Sequence, residues 1–183
     1  MKTRFSKKDL MIFLRLLDDS INYDATVISA GGTALGLIDM KPYSHDIDFA
    51  YITKRETDFR EKAMQTASKL AIAKEDVHIF SGAEMIALTN IPDFIARAVD
   101  FKEFEFKHID LKIMNLYDIL LSKVERFVGR DIEDIDTILT NFKINEEQLD
   151  KRYDFVMRVY QDYKPDFIRN YQLFKKLYKH LLK

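Results

Sequence analysis

The stretch from Thr26 to Phe49 restricts the fold more than any other part of the chain. A β-branched run, Thr26-Val27-Ile28, leads through Ser29-Ala30 into Gly31-Gly32-Thr33-Ala34-Leu35-Gly36-Leu37, which holds three of the chain's five glycines. β-Branched residues favour an extended backbone, so Thr26 to Ala30 reads as a short buried strand. Adjacent glycines let the backbone turn sharply and approach another group with no Cβ in the way. Thr33 to Ile38 then reads as a short helix opened by that turn. Ser44-His45-Asp46-Ile47-Asp48-Phe49 follows, and its alternation marks a second strand over Asp46 to Ile52. Side chains alternate faces along a strand. Asp46 and Asp48 therefore share one face, and Ile47 and Phe49 share the other.

The rest of the chain sorts into a mixed first part and a helical second part. Ser6 is placed to cap a helix carrying Leu10, Phe13, Leu14 and Leu17 at helical spacing. Arg55 to Ala73 reads as a long amphipathic helix and Val77 to Phe80 as a strand. The segment from Ser81 to Asp100 is interrupted by Pro92. Phe104 to Met114 reads as one or two strands with a turn near Lys107-His108. From Asn115 onward the pattern is helical. Leu116, Ile119, Leu120, Val124 and Phe127 form one apolar stripe, and Ile132, Ile135, Ile138, Leu139 and Phe142 form a second. Asn145-Glu146-Glu147-Gln148 resembles a capping box, and Pro165 suits the first turn of a last helix. The expectation is an α+β fold: a small mixed β-sheet core flanked by helices over residues 1–114, and a C-terminal helical bundle over 115–183 packed on it.

Composition removes several classes of chemistry. The chain has no cysteine, which excludes disulfides, thiolate catalysis and cysteine zinc sites. Its net charge of -1 argues against polyanion binding driven by overall charge. No apolar run reaches the roughly 20 residues of a membrane span, and no signal-type core follows the basic N-terminus. The expected location is cytoplasmic, with no membrane partner. His45, His78 and His108 show no metal-ligand spacing on a helix and read as ordinary polar residues. The basic C-terminal segment, including Lys175, Lys176 and Lys179, reads as a solvated helix face.

Chemistry concentrates in the first stretch. A Gly-Gly turn that opens a helix suits an anion, phosphate above all, and Thr33 adds a hydroxyl donor. Two carboxylates on one strand face repel unless a cation lies between them, and oxygen donors of this kind suit Mg²⁺ together with substrate phosphate. The P-loop ending Gly-Lys-Ser/Thr is absent, as is Gly-x-Gly-x-x-Gly.

Gly-Gly-Thr-Ala-Leu at 31–35, followed by Ser44-x-Asp46-Ile47-Asp48-Phe49, resembles the signature of the polymerase-β-like nucleotidyltransferase superfamily. The flanks are most similar to its AbiEii-like group, which includes toxins of toxin–antitoxin systems. The resemblance implies that Gly31, Gly32 and Ser44 hold a nucleoside triphosphate and that Asp46 and Asp48 bind divalent metal, Mg²⁺ or Mn²⁺. A third carboxylate on a neighbouring strand is also implied; Asp110 is the candidate, with Asp76 and Glu105 as rivals. A second block, Asp118-Ile119-Leu120-Leu121-Ser122-Lys123 and then Arg130-Asp131-Ile132-Glu133-Asp134-Ile135, resembles the same group more loosely, since no lysine precedes Asp131. Lys123 interrupts an apolar stripe and needs either a protein partner, Asp131 or Asp134, or a ligand phosphate. The implied activity is transfer of NMP from an NTP to a hydroxyl of RNA, protein or a small molecule, with an antitoxin as a further implied partner. A catalytically degenerate nucleotide- or partner-binding protein is the alternative.

Overall fold

The computed structural model describes residues 4–81, 91–159 and 165–183. The chain divides into two compact units, one of Met1–Met85 with Ile95–Met114 and one of Ile86–Phe94 with Asn115–Lys183.

The first unit begins with helix α1 (Lys7–Ser20), closed at its start by a capping box in which Ser6 and Asp9 satisfy each other's backbone N–H. Strand β1 (Ala25–Ser29) runs into the seven-residue helix α2 (Gly31–Leu37), and β2 (Ile47–Ile52) returns antiparallel to β1. Helix α3 (Glu56–Lys69) and a 3₁₀ turn at Lys74–Asp76 lead to β3 (Val77–Ser81), which pairs parallel with β2. Helix α4 (Ile91–Arg97) precedes β4 (Val99–Asp100), and β5 (Ile109–Ile113) pairs parallel with β1 and antiparallel with β4. The five-stranded sheet has the order β3-β2-β1-β5-β4.

One face of this sheet is the core. Ile47, Phe49 and Tyr51 of β2, with Val77 and Ile79 of β3, are buried. Phe13 of α1 stacks on Phe49 at 6.1 Å, and Phe59 of α3 stacks on Tyr51 at 4.8 Å. Full burial of one such phenyl ring contributes roughly 1.5–3 kcal/mol. These large apolar side chains fix the register of β2, because a one-residue slip would move all of them to the opposite face. The polar alternates, Asp48 and His78, are left on that opposite face.

Several expectations shift at the element ends. β2 begins at Ile47, so Asp46 lies in the bend just before it. α3 stops at Lys69 because Ala71 takes a left-handed conformation (φ 54°). Pro92 does not interrupt a helix; it sits in the first turn of α4, where its missing N–H costs nothing. Residues 82–90 of the ambiguous segment lie outside the described residues. Of the strands expected over Phe104 to Met114, only 109–113 forms. The preceding turn is held by Asp18, whose buried carboxylate accepts the N–H groups of Lys107 (2.9 Å), His108 (2.8 Å) and Ile109 (2.9 Å).

The second unit is helical. Asn115 caps α5 (Leu116–Arg126) by accepting the Tyr117 N–H at 3.0 Å. α6 (Gly129–Asn141), α7 (Glu146–Val159) and α8 (Pro165–Tyr178) all contact α5, whose Ile119, Leu120, Leu121 and Val124 are fully buried. Phe127 is the left-handed C-cap of α5 (φ 48°) and does not continue its stripe. Phe142 caps α6 and is 51% exposed; Ile144, beyond the helix end, enters the core instead. Tyr153 of α7 stacks face to face on Tyr171 of α8 at 3.8 Å. No described helix is long and apolar enough to cross a membrane.

Candidate functional site

The end of β1, the start of α2 and the start of β2 are knitted together at one place. Ala30 donates its N–H to the Asp48 carbonyl at 3.1 Å. Gly31 then adopts φ +53°, and a Cβ there would lie 3.1 Å from Asp48 Oδ2. A Cβ on Gly32 would lie 2.9 Å from Ser44 Oγ. Both glycines are therefore required locally: the first by conformation and contact, the second by contact alone. Ser44 is itself pinned, since it exchanges both backbone hydrogen bonds with Phe5 (2.7 and 2.8 Å) and is only 2% exposed. The sequence-predicted residues Gly31, Gly32, Ser44 and Asp48 thus stand together.

Thr33 has a different task from the one expected. Its hydroxyl donates to the Asp46 carbonyl at 2.8 Å and accepts the Asp48 N–H at 2.9 Å. The proton that a phosphate would need is already committed, so Thr33 positions the acidic pair and does not present a free donor.

Beside Asp48 stands a residue that sequence reasoning set aside. The parallel pairing of β2 and β3 puts His78 directly opposite Asp48. His78 Nδ1–H donates to Asp48 Oδ1 at 2.8 Å. That hydrogen bond, reinforced by the Asp46 charge, raises the imidazole pKa above its ordinary value despite burial acting the other way. Asp46, Asp48 and His78 are each half-buried, and each offers a ligand atom within 4.8 Å of the other two. Two carboxylates and one imidazole converging from partly solvated positions form a donor set that fits a divalent cation.

Asp110 does not join this group. It pairs with Thr26 near the start of β1, whereas Asp48 follows the far end, next to the Ser29–Phe49 pair. The four residue steps from Thr26 to Ala30 correspond to roughly 13 Å along a strand. Asp110 is exposed there and lies 3.4 Å from Lys112 Nζ. On Asp48's face, the β5 residue nearer the acidic pair is Lys112, opposite Ile28. The expected third carboxylate is thus displaced along the sheet, and neither Asp76 nor Glu105 belongs to the described metal-ligand cluster.

In the helical unit, Lys123 finds both partners named for it. Its Nζ lies 2.6 Å from Asp134 Oδ2 and 3.2 Å from Asp131 Oδ1. Arg126 adds a two-pronged contact to Asp131, at 2.9 and 2.6 Å. Burial pushes the Asp131 carboxyl upward, but the Arg126 hydrogen bond and the Lys123 charge outweigh it and hold the pKa below the ordinary carboxylate value. A second buried cation, Arg152, bonds Asp118 and Asp93, while its Nη2 has no hydrogen-bond partner among the described residues.

No curated protein matches this chain. An antigenic nucleotidyltransferase-like protein from Paracoccidioides brasiliensis superposes with a TM-score of 0.49 and 14% identity, over 90% of this chain and 94% of that one. The model of a family described as "Nucleotidyltransferase of unknown function (DUF6036)" matches residues 8–179. That span takes in both units and every residue of the glycine turn and the acidic pair, so this chain belongs to the DUF6036 nucleotidyltransferase family.

Proposed function

We propose that the protein transfers a nucleoside monophosphate from an NTP to a hydroxyl acceptor. The acceptor oxygen forms a bond to the α-phosphorus, the α–β phosphoanhydride breaks, pyrophosphate leaves and the acceptor hydroxyl loses its proton. The observation that carries this reading is the closure of the Gly31-Gly32 turn onto Ser44 and Asp48, with Asp46 alongside. Adjacent glycines let a backbone approach a phosphate closely, and Ser44 Oγ and Asp48 Oδ2 stand against this turn. Asp46 and Asp48 would hold a divalent cation, Mg²⁺ or Mn²⁺, which supplies charge neutralisation at the phosphates and a more acidic acceptor oxygen. The protein's own contribution is positioning: Thr33 fixes the backbone of both aspartates, and the buried Ile47 and Phe49 hold β2 in register.

Within that reading we favour the AbiEii-like type, on the flanks of the glycine turn and of Asp46-Ile47-Asp48. RNA or a protein hydroxyl is then the acceptor class, and an antitoxin the regulatory partner. Incubation with α-labelled NTPs, divalent metal and total cellular RNA or protein tests the reaction directly. Label should pass to a macromolecule with wild type and not with Asp48→Asn. Growth arrest on induction of wild type, absent with Asp48→Asn, tests the toxin-type role.

A second reading has a specific observation in its favour. With Asp110 far along the sheet and His78 engaging Asp48, the site has no third carboxylate among the described residues, which suits a catalytically degenerate protein that binds nucleotide or a partner. Both readings predict nucleotide binding. Only the first predicts pyrophosphate release.

A further inference from the structure

We propose that His78 is the third protein ligand of the centre on Asp46 and Asp48, making it a site that prefers Mn²⁺ to Mg²⁺. The inference rests on the functional reading above in one respect only: that reading places a metal at the two aspartates. His78 comes from sheet pairing, not from the motif. β3 runs parallel to β2 and places His78 in register with Asp48, on the face opposite the core. The side chains already touch, with Nδ1 2.8 Å from Asp48 Oδ1, and the imidazole is 43% exposed, so a hydrated ion has access to it. All three donor atoms lie within 4.8 Å of one another. On Asp48's face β5 carries Lys112, opposite Ile28, and Asp110, further off opposite Thr26, so among the described residues β5 brings no other ligand to the pair.

The chemistry follows from the donor set. Mg²⁺ demands hard oxygen ligands in near-ideal octahedral geometry and gives up water reluctantly. Replacing one carboxylate by imidazole removes a negative charge and introduces a nitrogen that binds first-row transition ions better than Mg²⁺. Mn²⁺ accepts carboxylate, imidazole and phosphate together, which is the combination available here. A purely structural His78 would instead serve only to tie edge strand β3 to β2 through Asp48.

The test uses the full chain and Mn²⁺ followed by electron paramagnetic resonance. Wild type should bind Mn²⁺ at least about tenfold more tightly than Mg²⁺, read by competition. The bound ion should show ¹⁴N coupling from a directly coordinated imidazole. His78→Gln should lose the ¹⁴N coupling and weaken Mn²⁺ binding by about tenfold or more, a loss comparable to those seen when metal-site partners are removed. His78→Asp, with a melting curve to confirm folding, should also lose the coupling but should reverse the preference toward Mg²⁺. If His78→Gln keeps the coupling and the affinity, the ligand assignment is overturned and the metal reading of the aspartates stands. If wild type binds no Mn²⁺, with or without a non-hydrolysable NTP analogue, both fall.

Discussion

The two units each contain a cluster of two aspartates and a basic residue, and the clusters differ in burial and charge balance. In the helical unit the side chains of Lys123, Asp131 and Asp134 are 8%, 7% and 3% exposed. With Arg126 included, two cations meet two anions. Charges taken that far from water persist only when matched, and the match there is complete within the protein. In the sheet unit, Asp46, Asp48 and His78 are all partly solvated, and two carboxylates face a single imidazole. Each of the three side chains keeps part of its surface toward solvent. A closed, charge-matched cluster ties helices together; an open one with convergent ligand atoms is suited to receive a cation. Two aspartates with a basic residue thus serve as scaffold in one place and as a receptor in the other.

The largest effect separating them should be on activity. Asp48→Asn is expected to lower nucleotidyl transfer on the order of a hundredfold or more. It should change stability by no more than about 1 kcal/mol, because the bond it weakens is partly exposed. Lys123→Met should do the reverse in proportion: it strands Asp134 in the interior and should cost about 3–5 kcal/mol in urea denaturation. Combining it with Asp134→Leu should recover most of that loss. If Lys123→Met were neutral for folding, the scaffold side of the comparison would collapse.

A smaller contrast lies in the glycines. Gly32→Ala drives a Cβ to 2.9 Å from Ser44 Oγ and should cost roughly 1–3 kcal/mol by overpacking, with partial rescue by Ser44→Gly. Gly129→Ala meets nothing within 4 Å at the start of α6 and should be neutral or stabilising by up to about 1 kcal/mol. Acid should also distinguish the clusters. The folded pKa of Asp131 is lowered, so its contribution to stability is complete above the unfolded carboxylate pKa of about 3.9 and is lost as pH falls through the lower folded value. The Lys123→Met variant, having lost one of the causes of that shift, should lose less stability than wild type over the same acid range. The smallest effect is expected from Asp110→Asn, which should leave transfer and metal affinity unchanged.

The parts of this account that were legible in the sequence are the local ones. Gly31, Gly32, Ser44, Asp46 and Asp48 lie within eighteen consecutive positions, so their meeting needs only one turn and one hairpin-like return. Lys123 announced its need for a partner because it broke an apolar stripe, and both named aspartates met it. His78 could not be found that way. Its place beside Asp48 depends on parallel pairing across α3, and one polar residue between Val77 and Ile79 carries no sign of which strand will be its neighbour. Asp110 was misjudged for the same reason: alternation gave its face of the sheet correctly, but its level along the strand is set by pairing with β1. Asp18 was silent too, since a carboxylate that organises the turn before β5 from the last turn of α1 leaves no mark in local spacing.

The most direct measurement is the thermal midpoint of wild type and of Asp48→Asn, with and without MnCl₂ and a non-hydrolysable NTP analogue. The account predicts that metal and nucleotide together stabilise wild type, by about 2.7 kcal/mol when ligand is present at a hundred times its dissociation constant. The variant should keep its unliganded midpoint and lose most of that gain. Equal stabilisation of both proteins, or none of wild type, would contradict the assignment of the open cluster as the binding centre.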